Sequence, residues 1–238
     1  MNQHKIQESW LKQFQSRARK VEVIDVQTLD SKLRKPKEIA STDDFQSREH
    51  EIEDARIETD AIRFLHRLKK GFHELDDTHR DILDKWTALH ISRSPRSLQD
   101  IDNSPVKYDQ ARSAFLREDL SLVKSFSSIW IYRLNQHDEP LILSDTTMLQ
   151  LDENALIFPF TPHLVVMFTH LDPRGLKIEG RSLSQFINEM SFRSAFKEVY
   201  SNPELKLPWK EIQARARQNI STVYRLSTIQ VTAKKGLD

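Results

Sequence analysis

Glu49, His50, Glu53 and Asp54 lie near the start of a long amphipathic segment, at the i,i+4 spacing that stacks side chains on one helical face. Carboxylates and an imidazole placed this way could hold a hard cation, or one bound through the ring. A solvated acidic face has the same spacing. A second candidate is Gly175-Leu176-Lys177-Ile178-Glu179-Gly180-Arg181-Ser182, a near match to the phosphate-binding loop G-x-x-x-x-G-K-[ST]. Arg181 stands where a lysine should reach the β- and γ-phosphates, and the residues between the glycines are apolar and strand-like. A hairpin strand after the Asp172-Pro173-Arg174-Gly175 turn is the competing reading. The third candidate runs from Lys206 to Arg225, where Trp209 and Tyr224 alternate with Lys206, Lys210, Arg215, Arg217 and Arg225. Cations hold phosphates and rings stack on bases, so Lys206, Trp209, Lys210, Arg215, Arg217 and Arg225 are the candidate nucleic-acid contacts. Alternatively, Trp209 belongs to the core and the charges are solvated.

Other chemistry is excluded or thin. The chain has no cysteine, which removes disulfides, thiolate zinc sites, iron–sulfur clusters and cysteine nucleophiles. There is no H-E-x-x-H and no G-x-S-x-G. His163 and His170 are seven apart on an expected strand and so point to opposite faces. His66 and His73 would share a helical face, but Gly71 intervenes and no third ligand is evident. With 36 Lys+Arg against 35 Asp+Glu in 238 residues, the formal charge of +1 gives no global pull toward nucleic acid or membrane. The charge is nonetheless segregated. Residues 41–60 carry eight acids, and from Lys206 onward only Glu211 and Asp238 oppose seven cations. No apolar stretch follows Met1-Asn2-Gln3-His4-Lys5, and the longest apolar run, Leu164 to Phe168, is far short of the roughly twenty residues a spanning helix needs. The expectation is a cytoplasmic protein with no membrane partner.

The elements that must position these residues follow from periodicity. Ile6, Trp10 and Phe14 form one stripe on a short first helix, closed by the basic Arg17-Ala18-Arg19-Lys20. Val21 to Leu29 is a β-branched run that predicts a strand, and Lys32 to Lys37 reads as an exposed connection. Ser41-Thr42-Asp43-Asp44 can cap a long helix with Ile52, Ala55, Ile62, Leu65 and Leu68 on its apolar face. Asp76 or Asp77 caps the next, through Leu89, and Ser104-Pro105 opens another through Val123. Short β-rich runs between Ser128 and Phe168, separated by tight turns, predict an antiparallel sheet. Ser182 or Ser184 opens a helix reaching Val199, Trp209 to Gln218 forms another, and Thr222 to Val231 returns as a strand. The fold class is therefore α+β, mainly helical with a small antiparallel sheet in the second half. One domain over 1–238 is expected: an N-terminal helix and strand in 1–40, a helical part in 41–126, the sheet in 127–181 and C-terminal helices in 182–238.

His4-Lys5-Ile6-Gln7-Glu8-Ser9-Trp10-Leu11-Lys12-Gln13-Phe14 resembles the opening of a large bacterial family of unknown function, His-x-Ile-Pro-x-x-Tyr-Leu-x-x-Phe. Later segments follow in order. Glu49, Glu53 and Glu58-Thr59-Asp60-Ala61 resemble its acidic first helix, and Ala88 to Arg96 its Arg-x-Pro helix end. Ser144-Asp145-Thr146-Thr147 resembles its Ser-Asp-Asn-Pro turn, Phe158 to Pro162 its Pro-Leu-Ser-Pro strand, and Asn188 with Val199-Tyr200 its later helix. Gln7 departs from the family's proline, Trp10 from its tyrosine, and Thr146-Thr147 from its Asn-Pro.

The resemblance implies a bacterial or phage-related protein in a defence or toxin setting, and it groups His4, Glu58, Arg93, Asp145 and Asn188. His4 could shuttle a proton near neutrality. Arg93 offers a fork for a carboxylate or phosphate, and Asp145 a base or metal ligand. Asn188 and Glu58 could orient a water or a metal. Together they would form a nuclease-like site acting on nucleic acid with a divalent metal. The same residues also have a structural use, with Arg93 pairing with Glu58 and Asp145 capping a turn. The competing function is a non-enzymatic protein–protein interaction or regulatory module.

Overall fold

A computed structural model describes residues 7–40, 48–70, 75–93, 104–151, 155–170 and 182–218. The expected cap at Ser41 to Asp44, the Gly175 to Arg181 segment and the Thr222 to Val231 strand lie outside these residues. Helix α1 (Glu8–Leu11) runs into a 3-10 turn (Lys12–Phe14). Strands β1 (Val21–Asp25) and β2 (Ser31–Arg34) and helix α2 (Pro36–Ala40) follow. Next come α3 (Arg48–Lys69), α4 (Asp77–Ser92) and α5 (Pro105–Ser125). Strands β3 (Ser128–Arg133), β4 (Leu143–Ser144), β5 (Leu149–Leu151), β6 (Ala155–Thr161) and β7 (Leu164–Thr169) fill the middle. Helix α6 (Leu183–Ser194), strand β8 (Glu198–Ser201) and helix α7 (Trp209–Gln218) complete it.

The fold is α+β, and its strands make two antiparallel four-stranded sheets. One, ordered β3-β7-β6-β5, is the sheet that the middle of the sequence predicts. The other, β2-β1-β8-β4, joins strands from both ends of the chain. Three local expectations change here, the first being that the strand expected to reach Leu29 ends at Asp25 and turns from Val26. Lys32 to Lys37 is not a bare connection, because Ser31–Arg34 pairs with β1 as an edge strand. Val199 belongs to β8, not to the helix before it, which stops at Ser194. Helix α6 ends where Asp145 captures the next three backbone N–H groups, and Val199 then pairs with Ile24.

Side chains along β6 and β7 alternate between two covered faces, so both strands are buried at every position. Leu156, Phe158, Phe160, Val166 and Phe168 pack with the helical half, and Ile157, Val165 and Met167 pack under Ile187 of α6. A strand covered on both faces reads as a continuous apolar run, which is why Leu164–Phe168 looked unbroken in sequence. Three helices start at side-chain caps: Asp76 accepts from the His79 N–H, Ser104 from Lys107 with Pro105 in the first turn, and Ser182 from Gln185 in a reciprocal capping box.

Trp10 ties the first helix to everything else. Its indole N–H donates to the Pro159 carbonyl at 3.1 Å, and its ring lies 4.8 Å from both the Trp86 and His90 rings. No helix among the described residues is long and apolar enough to cross a membrane.

Candidate functional site

The polar side chains singled out in sequence fall into two centres. The first lies among α3, α4 and α5. Asp54 and Glu58 are one helical turn apart on α3 and share a face. Arg93 caps the C-terminus of α4 and reaches both, with Nη1 on Glu58 Oε1 at 2.7 Å and Nη2 on Asp54 Oδ2. Arg112 of α5 closes the set, donating from Nη2 to Asp54 Oδ1 and from Nη1 to Glu53 Oε2 at 3.0 Å. One buried carboxylate is thus clamped by two guanidiniums. His50 turns instead to Asp109, with Nδ1 and Oδ1 2.6 Å apart.

This geometry settles how the acidic helical cluster is used. Glu53 and Asp54 face Arg112, and His50 faces Asp109, so three of its four members are taken up by side chains of α5. Among the described residues, no three His, Asp or Glu side chains are grouped to hold a metal ion.

Burial opposes the charge on Arg93, and the carboxylates of Asp54 and Glu58 more than offset it, holding the guanidinium above its ordinary pKa. Burial pushes Glu58 upward, against the pull of Arg93. Just beside them, burial drives His90 down to about 3, with the Arg93 charge acting in the same direction, so its imidazole is neutral.

The second centre lies on the sheet side. Asp145 follows β4, and its carboxylate accepts the backbone N–H groups of Phe196, Lys197 and Glu198 at 2.7, 2.7 and 2.9 Å. Asn188 of α6 is fully buried: Oδ1 accepts from the Ile142 N–H, and Nδ2 donates to Glu139 Oε1 and the Pro140 carbonyl. Arg215 of α7 donates to Glu139 at 3.0 and 3.1 Å and to Glu189 of α6 at 2.9 Å. Asn188 and Arg215 therefore meet at Glu139.

Glu58 and Arg93 are brought together, whereas Asp145 and Asn188 sit in separate hydrogen-bond sets of their own. His4 and Arg225 lie outside the described residues. Among the basic candidates, Lys206, Lys210 and Arg217 are exposed, Trp209 is half-buried against the core under α7, and Arg215 is held by two glutamates. Arg112 escaped the sequence reading. Its signal is an arginine one turn after the buried Tyr108, on a helix face that otherwise packs inward. Glu139 and Glu189 carry no comparable signal.

A family described as protein of unknown function, DUF4238, matches residues 2–129, more than half of the chain. The chain belongs to that family. No curated protein and no solved structure matches it.

Gln7 and Thr147, which the resemblance in sequence singled out, have different backbone requirements. Gln7 has φ −54° and ψ 130°, a backbone conformation that proline also adopts. Its side chain accepts from the Trp86 indole N–H at 3.3 Å and hydrogen-bonds Glu58, so glutamine keeps the proline-like backbone and adds a link into the ionic centre. Thr147 has φ 58°, which a proline ring forbids. The turn is held instead by hydroxyls: Ser144 Oγ lies 2.6 Å from Thr146 Oγ1 and accepts the Thr146 N–H at 3.0 Å.

Proposed function

We propose that this chain acts by binding, as an interaction or regulatory module for a charged macromolecular partner. The supporting observation is that the side chains best suited to catalysis are occupied by their own fold: Asp145 by three backbone N–H groups, Asn188 by three partners, and Arg93 by two carboxylates. A group that must give or take a proton needs access to a substrate, and these are buried and engaged with internal partners.

The second reading is a nuclease-like hydrolase in a bacterial or phage-related setting. One observation favours it: Glu58 keeps 17% side-chain exposure and an upward-shifted pKa, the properties of a carboxyl group that could serve as an acid. Incubation of the purified chain with DNA and RNA strands in Mg²⁺ and then Mn²⁺ separates the two. Intact strands are expected. Cleavage that vanishes in Glu58→Gln while the unfolding midpoint stays unchanged would establish the hydrolase instead.

A further inference from the structure

An open groove of about 570 Å³ lies between the N-terminal turn, the end of α3, the β6–β7 hairpin and the Asn202–Leu205 loop. Lys12, Arg17, Lys69 and Arg133 line it against one acid, Glu204. We propose that this groove binds the sugar–phosphate backbone of a nucleic acid. The inference deepens the reading of the chain as a binding protein by naming the partner and the surface.

The cations come from four separate elements: the 3-10 turn, the following loop, the C-terminus of α3 and the end of β3. Charges spread along a groove suit a polymer of spaced phosphates better than a single compact anion, which is usually met by convergent donors. Both acids nearby are in use. Glu204 accepts the Arg17 backbone N–H at 2.8 Å, and Glu8 pairs with Lys12 at 2.8 Å.

Two features prepare the surface for negative charge. The C-terminus of a helix carries partial negative charge that would repel phosphate. Here Arg133 donates to the carbonyls of Leu68 and Lys69 and covers that end of α3. The loop beyond Phe14 is closed by Ser16, whose N–H donates to the Lys20 carbonyl at 2.8 Å and whose carbonyl accepts from the Arg19 N–H at 2.9 Å. Arg17, Arg19 and Lys20 are exposed on that closed loop, and Arg17 lines the groove. His163, pushed below its ordinary value by burial and Lys69, adds no charge at neutral pH.

Among the described residues, no Trp, Tyr or Phe lines the groove. Base stacking is therefore not its means of holding a strand, and contacts confined to phosphates carry no sequence information. Binding should be indifferent to sequence and steep in salt.

The test is fluorescence anisotropy of labelled DNA and RNA strands with the whole chain across a salt series. Neutralising three to four phosphates predicts a slope of log K on log salt of about −3, or roughly a 60-fold loss between about 50 and 200 mM. Lys12→Gln, Arg17→Gln and Lys69→Gln change exposed residues, and each should flatten the slope by about 0.7–0.9. The triple variant should bind at least about tenfold more weakly at low salt, with an unchanged unfolding midpoint. Lys210→Gln with Arg217→Gln, on the exposed face of α7, should leave binding as it is. If only the α7 pair weakens binding, the groove assignment fails while the binding reading stands. Binding of no strand at any salt, or tighter groove-dependent binding of anionic vesicles than of strands, overturns the assignment. Cleavage of strands held through the groove would support the assignment and overturn the non-catalytic reading.

Discussion

Asp54 and Asp145 are carboxylates of nearly equal burial, 1% and 2% exposed, yet the fold satisfies them by different means. Asp54 sits between two guanidiniums. Asp145 holds three neutral backbone N–H groups. The helical half thus balances buried charge with charge, drawing three helices onto one point. The sheet half, besides pairing Arg215 with Glu189 and Glu139, uses Asp145 as a clasp that fixes the chain reversal between α6 and β8. An ion pair of the first kind gains Coulomb energy but loses hydration on every partner, so its net worth is small while its disruption is costly. A clasp of the second kind is worth what its hydrogen bonds are worth, locally.

The sharpest way to break the comparison is Asp54→Ala. It removes the carboxylate that Arg93 and Arg112 share and leaves each with one partner, Glu58 or Glu53, and urea unfolding should show a loss of about 3–5 kcal/mol. Replacing Asp54, Glu58, Arg93 and Arg112 together with Leu and Met should recover most of that loss. If it does not, the cluster does more than neutralise itself. Asp145→Ala should cost less, about 1.5–3 kcal/mol, and its signature should be local. Hydrogen exchange at the Phe196, Lys197 and Glu198 amides should accelerate, with the α3–α5 amides unchanged. Uniform acceleration would mean that the clasp supports the whole fold.

The third effect is a pH dependence on the helical side, graded over several pH units rather than present at neutrality. His90 is neutral in the fold, with its pKa near 3, while the unfolded chain takes up a proton near 6.5. The unfolded state binds the proton first as pH falls, so this contribution to stability is complete above about pH 6.5. Below that it declines by about 1.4 kcal/mol per pH unit. Unfolding free energies measured from about pH 6.5 to 4.5 should fall less steeply in His90→Leu by that amount. Identical slopes would show that His90 keeps its proton balance on folding.

What could be read from sequence was local. The caps at Asp76, Ser104 and Ser182 are short-range chemistry, and the Trp10–Phe14 stripe needs only one helical turn. Strand β2 gave no pattern, because as an edge strand it is largely exposed and its place comes from pairing with β1. Val199-Tyr200 resembled the end of a helix until Asp145, far away in sequence, stopped α6. The pairing of Glu58 with Arg93 was open to sequence reasoning as one of two uses of those residues. The clamp on Asp54 was not, since Arg112 lies 58 residues away and only helix packing brings it there.

The pairing of β1 with β8 also governs how the chain is made. Glu22 and Ser201 face each other across 179 residues, so the amino-terminal strand leaves the ribosome roughly 10–35 s before its neighbour exists. During that interval only β2 can cover it, and β2 covers a single edge. A nascent or truncated chain ending before β8 would carry an open, β-branched strand edge, a ready template for misassembly. Chaperone engagement early in synthesis, and poor yield of any fragment lacking the C-terminal third, are the cost of closing a sheet with the two ends of one polypeptide.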